Sequence, residues 1–244
     1  MIHYYEGTVF NAPAKTLVNT VNCFGVMGAG IALEFKMRYP EMFEDYKLVC
    51  EKKEMKVGRP KLYKHCESTW IMNFPTKNHW RNPSKMNYIE EGLKYFVQNY
   101  KKANIESIAF PKLGTNKGGL EWVYVKDVME KYLNLVDIDV YICLDEKKEA
   151  EGIEKEMVDT VNNVSMDDLI DKVKLTKKQA SIIMETIPLK RFWKLSTKKG
   201  IGEKTYEKIF KYYYRKVKSS QCENSKNQNT EQEIVSKVEQ LSFF

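Results

Sequence analysis

No apolar run in the sequence approaches the roughly 20 residues that a membrane-spanning helix needs. The opening stretch, Met1-Ile-His-Tyr-Tyr-Glu-Gly, also lacks the basic-then-apolar order of a secretory signal. Histidine is scarce: His3, His65 and His79 are scattered and no carboxylate cluster accompanies them, so no metal site is expected. The cysteines (Cys23, Cys50, Cys66, Cys143 and Cys222) are odd in number and form no CxxC pair. That points away from a disulfide framework and toward free thiols in a reducing compartment. Neither G-x-x-x-x-G-K-[ST] nor a G-x-G-x-x-G in a standard nucleotide-binding unit is present. The expectation is a cytoplasmic chain with no membrane association and no cofactor.

What is present begins with charge. The formal net charge of +7 favours an anionic partner such as nucleic acid. Hydrophobic residues make up 43% of the chain, enough for a real core. The run Thr16–Asn22 is apolar and β-prone, and it ends in a loop carrying Gly25, Gly28 and Gly30 that opens into a helix. Glycines let backbone approach a ligand closely, and the free N–H groups of the helix start form a seat for a phosphate. Taken alone, the loop reads equally as helix-capping glycines without a ligand.

Along the first 147 residues, strands are expected at 2–6, 16–22, 59–65, 69–74, 107–110 and 138–144. Helices are expected at 29–38, 41–53, from near Ser84 to Asn104, and from Glu121 to about Leu135. Such alternation implies an α/β fold with a mostly parallel sheet covered on both faces, its ligand at the carboxyl ends of the strands. A second glycine loop, Pro111-Lys-Leu-Gly-Thr-Asn-Lys-Gly-Gly-Leu120, repeats the strand–loop–helix arrangement of the first. Two anion seats on one sheet suit a ligand with two phosphates and a sugar at each end.

Residues 148–164 are charged and read as a linker or peripheral helix. From 165 to 218 the pattern is helical only, in short pieces broken at Pro188 and at Gly200–Gly202. Between Lys172 and Lys218 there are fifteen Lys or Arg against three Glu, so the positive charge concentrates here. The stretch 219–244 is polar and expected to be disordered, with a short helix at its end.

The motifs Val18-Asn-Thr-Val-Asn22, Gly28-Ala-Gly-Ile-Ala32, Pro111-Lys-Leu-Gly-Thr115 and Gly118-Gly-Leu-Glu-Trp122 resemble those of the macrodomain family. The resemblance implies a three-layer α/β/α fold binding ADP-ribose, followed here by a small basic helical module. It implies contacts from Thr8 and Val9 near the adenine, from Asn22 to the distal ribose, from Thr20 and Val21 beside it in the strand, and from Met27, Gly28, Ala29, Gly30 and Ile31 at the first loop. Thr76 and the loop residues Gly114, Thr115, Asn116, Lys117, Gly118 and Gly119 complete the set. Thr8 stands where many members carry an Asp, so a carboxylate contact to adenine is missing.

The segment Asn73-Phe-Pro-Thr-Lys77-x-His-Trp-Arg81 is similar to the lysine-bearing segment of the DarG type, a branch whose members remove ADP-ribose from thymidine in DNA. Lys77 is the implied catalytic residue, desolvated by its neighbours so that the amine is nucleophilic near neutral pH. The related TARG type places a catalytic Asp about where Gly118 stands here. That fits the DarG type and leaves the general acid unassigned, with Glu121 a candidate that reads equally as a helix-dipole partner. The implied activity is a DNA ADP-ribosyl glycohydrolase acting as antitoxin to an ADP-ribosyltransferase toxin, its substrate being ADP-ribosylated single-stranded DNA. A non-catalytic ADP-ribose reader and a hydrolase of ADP-ribosyl esters on protein are the alternatives.

His79, Trp80 and Arg81 are candidates for stacking on or pairing with the DNA strand beyond the scissile bond, although Trp80 reads equally as a pin holding the loop to the core. The tail pattern Leu189-x-x-Phe192-x-x-Leu195 followed by Gly200-Ile-Gly202 looks like a helix-hairpin-helix. There Lys198, Lys199, Gly200, Gly202 and Lys204 would meet a DNA phosphate. The departures are Tyr206, where a small residue usually packs, and extra residues before Gly200. A solvated basic bundle, or a surface for the toxin, remain open readings.

Overall fold

A computed structural model describes residues 1–220. The expected terminal helix at 234–244 and most of the polar tail lie outside the described residues. The chain divides into two compact units, Met1–Lys147 and the part from Lys148 on.

In the first unit, β1 (Ile2–Tyr5), β2 (Thr16–Asn22), β3 (Lys61–Cys66), β4 (Thr69–Lys77), β5 (Ser107–Pro111) and β6 (Asp139–Cys143) form one sheet. Its order is β1-β6-β5-β2-β4-β3. Every neighbouring pair is parallel except β3 with β4, so the sheet is mixed and mostly parallel. β2 lies inside it between β4 and β5, which explains its near-continuous burial.

Successive residues of a strand point to opposite faces, and the two faces are packed by different helices. Leu17, Val21, Ile71 and Ala109 meet Phe35 of α1 (Gly30–Arg38) and Met42 and Tyr46 of α2 (Pro40–Glu51). Val18, Met72, Phe74, Ile108 and Phe110 meet Ile89, Leu93 and Phe96 of α3 (Met86–Asn99) and Val125 and Met129 of α4 (Trp122–Leu133). Gly92 lets α3 lie against Phe74, whose Cζ would stand 2.3 Å from a Cβ at that position.

Two boundaries differ from expectation in ways that matter. β4 runs on through Pro75 to Lys77 instead of ending at Phe74. The last antiparallel partner of β4 is Lys61, opposite Asn73, so beyond that point only β2 flanks it and an edge tolerates proline. α3 begins at Met86 rather than near Ser84, because Ser84 is engaged elsewhere, its N–H donating to Gly118 O at 2.9 Å.

In the second unit, the expected linker 148–164 holds a helix, α5 (Gly152–Asn162). Charge in its sequence masks an apolar face, and Met157, Val158 and Val161 are buried. Glu154 on the same helix is held by Arg191, whose Nε lies 3.1 Å from both carboxylate oxygens. α6 (Met166–Asp171) is capped by Ser165, and α7 (Lys177–Met184) by a Thr176–Gln179 capping box. A 3-10 turn, Phe192–Thr197, and a helix over residues 203–220 follow. Phe192, Tyr206, Phe210 and Tyr213 pack as an aromatic core. Among the described residues, no helix is long and apolar enough to cross a membrane.

Candidate functional site

The carboxyl ends of β2 and β4 lie side by side in the sheet, with Asn22 paired to Lys77 after a register shift between Val21 and Asn22. The loop that leaves β2 is tied to this edge at once: Cys23 N–H donates to Lys77 O at 3.1 Å and to Asn78 O at 3.2 Å. Asn22 then shapes the loop from within. Its Nδ2 donates to Val26 O at 2.6 Å, while its Oδ1 accepts from the N–H groups of Phe24 (2.9 Å) and Val26 (3.4 Å). From α2, the Tyr46 hydroxyl donates to Asn22 O at 2.7 Å. Gly25, at φ +90, makes the turn that these bonds close. Asn22, implied as a ribose ligand, is thus 7% exposed and occupied in bracing the loop.

The loop delivers the chain to α1. Ala29 is its N-cap and sets no side chain over the helix start, so the first N–H groups of α1 remain open to a ligand. Gly28, Ala29, Gly30 and Ile31 present this seat. Met27, Val21, Val9 and Thr76 are buried, at 2%, 3%, 1% and 4% exposure. Thr20 is half-buried, as is Thr8, whose carbonyl accepts from Asn11 N–H at 3.1 Å in the turn after β1.

Exchanging Asn22 for Asp keeps the shape but sets an oxygen against Val26 O, turning an attraction into a repulsion. Asn22→Asp is expected to weaken ADP-ribose binding about tenfold, the effect of one lost buried hydrogen bond with a group left unpaired. Titration calorimetry measures it, and unchanged affinity would remove Asn22 from the bracing role.

The second loop is built by its own backbone. A 3-10 turn, Asn116–Gly118, is closed by Gly118 N–H to Thr115 O at 2.7 Å and Leu120 N–H to Gly114 O at 3.1 Å. Thr115 Oγ1 donates to Lys112 O at 3.0 Å. Gly114 and Gly119 hold φ values of +67 and +80, and Asn116 joins them at +46. Gly118 is needed for room rather than for conformation: a Cβ there would stand 2.6 Å from Ser84 Oγ and 3.1 Å from Ser84 Cβ. Ser84 is 5% exposed, and its Oγ has no hydrogen-bond partner among the described residues.

Lys77 spans the two loops. Its backbone pairs with Asn22, and its Nζ donates to Lys117 O in the second loop at 2.6 Å. Loss of hydration holds the amine below the ordinary lysine pKa, so its neutral, nucleophilic form appears at lower pH than on an exposed lysine. The neighbouring Cys23 thiol goes the other way: burial pushes it up to about 11, which disqualifies it as a competing nucleophile near neutrality. Glu121 is exposed at the N-cap of α4 and makes no side-chain cap bond. Among the described residues, no group of three or more His, Cys, Asp or Glu comes together as a metal site would require.

Trp80 and Arg81 are exposed just past Lys77, with the Arg81 guanidinium 4.6 Å from the Trp80 ring centre. In the second unit, Lys198, Lys199, Gly200, Gly202 and Lys204 are exposed around the turn that enters the helix at residue 203. Ile201 between the glycines is buried, and its N–H donates to Lys198 O at 3.0 Å. The lead-in is a 3-10 turn rather than an α-helix, and Tyr206, the departure from the helix-hairpin-helix pattern, packs its ring on Phe192. Tyr46, Ser84 and Phe24 escaped the reading of the sequence. Tyr46 and Ser84 lie far along the chain from the loops they contact, and no local motif marks them.

Residues 18–129 match the model of the Macro domain family. A DNA ADP-ribosyl glycohydrolase of Thermus aquaticus is 40% identical over 146 residues, covering 58% of this chain and 41% of the relative. The solved macrodomain of Mycobacterium tuberculosis DarG is 44% identical with a TM-score of 0.56, over 59% of this chain and 97% of that one. Thermosipho africanus DarTG, solved in complex with ADP-ribose, is 38% identical with a TM-score of 0.57, over 63% of this chain and 44% of that one. The matches thus span about two fifths of the full-length curated relatives (41% and 42%).

Proposed function

Because the chain belongs to the macrodomain family, in its DarG branch, we propose that its first 147 residues hydrolyse ADP-ribose from ADP-ribosylated thymidine in single-stranded DNA. The observation that carries this reading is the position of Lys77, paired to the root of one glycine loop and hydrogen-bonded to the other. In the reaction the two loops hold the pyrophosphate through backbone N–H groups. The neutral Lys77 amine attacks the anomeric carbon of the distal ribose, and the bond to the base breaks with its electron pair going to thymine, which takes up a proton. Water then releases ADP-ribose from the lysine adduct and restores the amine. Burial of the amine supplies what this step asks for, a lysine that gives up its proton more readily than usual.

The protein acts as the antitoxin to a cognate ADP-ribosyltransferase toxin; the DarTG match supports that partner. The basic second unit binds DNA through the exposed turn at 198–204, where Lys198, Lys199 and Lys204 supply sequence-independent phosphate contacts. It works in the cytoplasm, where its free cysteines remain reduced.

One comparison tests the substrate. The full chain is offered an oligonucleotide carrying ADP-ribosylated thymidine and, in parallel, a protein ADP-ribosylated on Glu or Asp, and free ADP-ribose is measured. Release from the oligonucleotide at a kcat/KM at least about 10²-fold higher is expected, the discrimination that contacts to the correct leaving group support. Preferential release from protein would replace the proposal with ester hydrolysis. Binding of both without release from either would make the protein a reader.

A further inference from the structure

Across the first loop and the segment after Lys77 runs a set of aromatic side chains that neither loop's anion seat uses. Phe24, in the first loop, is 59% exposed, and Trp80, past the end of β4, is 42% exposed. His79 joins them: its ring lies 4.6 Å from that of Phe24, edge-on, and 5.7 Å from that of Trp80, stacked at 25°. Arg81 extends the run, its guanidinium 4.6 Å from the Trp80 ring centre. Exposed rings such as Phe24 and Trp80 gain little for the core, and the three rings with the guanidinium come from two separate segments.

The run is fixed with respect to Lys77. Cys23, next to Phe24, is bonded through its N–H to Lys77 O and Asn78 O, and Phe24 N–H is held by Asn22 Oδ1. On the other side, Arg81 N–H donates to His79 Nδ1 at 3.3 Å and Asn82 N–H to His79 O at 3.0 Å, a tight turn that presents Trp80 outward.

We propose that Phe24, His79 and Trp80 form a stacking platform for the unmodified bases that flank the target thymidine in single-stranded DNA. Phe24 is a specificity-determining residue of this platform, and Arg81 meets the strand at its outer end. The inference rests on the hydrolase reading and deepens it. Flat, exposed rings beside a guanidinium match the alternation of base and phosphate along a single strand. A duplex hides the faces of its bases, and a peptide around a modified carboxylate offers no matching row of rings.

The experiment measures kcat and KM for full-length wild type, Phe24→Ala and Phe24→Tyr on two substrates. One is ADP-ribosylated thymidine inside a single-stranded oligonucleotide; the other is the same linkage in the mononucleoside. The ratio of kcat/KM on the oligonucleotide to that on the mononucleoside is expected to fall about tenfold in Phe24→Ala, through KM, and to return in Phe24→Tyr. An equal loss on both substrates would mean that Phe24 only shapes the loop, and no loss on either would leave the platform without a function; each result overturns the proposal. If the wild type cleaves neither substrate, the hydrolase reading fails. The platform is then judged alone by the affinity for an unmodified oligonucleotide, expected to be about tenfold weaker in Phe24→Ala and overturned if equal to wild type.

Discussion

Lys77→Ala and Lys77→Arg are both expected to lower the release of ADP-ribose from modified thymidine by at least about 10³-fold, while ADP-ribose affinity stays within about threefold of wild type. The pair separates two roles that a lysine can play. Arginine retains the positive charge and can still donate to Lys117 O, the contact that Lys77 Nζ makes at 2.6 Å. It stays protonated at any working pH and therefore has no lone pair for the sugar carbon. Were the side chain needed only for its charge, the arginine variant would retain most of the rate. Near-wild-type turnover in either variant would remove Lys77 from the chemistry.

The pH profile follows from the same group, and its sign can be stated. Desolvation lowers the proton affinity of the amine, so the neutral form accumulates at a lower pH than for a free lysine. The rate in the wild type should rise with pH up to the lowered pKa of Lys77 and level off above it. A rate that fell with rising pH over the same range would show that the protonated form is the working one.

The second large effect concerns a contact rather than a reacting group. Gly118→Ala is expected to weaken ADP-ribose binding by roughly tenfold to a hundredfold, the consequence of forcing a methyl into a filled space. The new Cβ would fall 2.6 Å from Ser84 Oγ and 3.1 Å from Ser84 Cβ. Rotation of the serine side chain relieves the first overlap but not the second. Ser84 itself is held by its N–H bond to Gly118 O. Ser84 or the loop must then give by a few tenths of an ångström, and a shift of the loop displaces the N–H groups proposed to face the phosphates. Ser84→Gly removes both offending atoms, so the double variant Ser84→Gly, Gly118→Ala should bind more tightly than Gly118→Ala alone, a coupling measured by titration calorimetry in a double-mutant cycle. Additive losses would place the cause elsewhere. At residue 118 Ser84 thus stands where any added Cβ would go.

Much of this arrangement was legible along the chain because it is written locally. Apolar, β-prone runs mark the strands, and glycine clusters after β2 and β5 mark the loops. The macrodomain motifs point to the family, and the segment from Asn73 to Arg81 points to the DarG branch. What was missed depends on contacts between distant segments. Pro75 read as a strand end because its missing N–H is harmful inside a sheet, and nothing nearby in the sequence says that β3 has already ended. The stretch holding α5 reads as linker or peripheral helix because Glu154, Lys155, Glu156 and Asp159 interrupt the three apolar residues that it buries, Met157, Val158 and Val161. The amide of Asn22 also closes the loop around Val26, with help from Tyr46, a residue on a helix 24 positions away.

The pairing of Asn22 with Lys77 has a consequence for how such a site changes. Neighbouring strands in a sheet stand about 4.8 Å apart. The first anion seat and the amine are therefore launched from two points whose separation is a property of β-pairing, not of either loop. It works as a built-in ruler. Residues 78–83 can lengthen, shorten or exchange their rings, altering which polymer lies across the entrance, while the span from amine to phosphate cradle keeps its calibration.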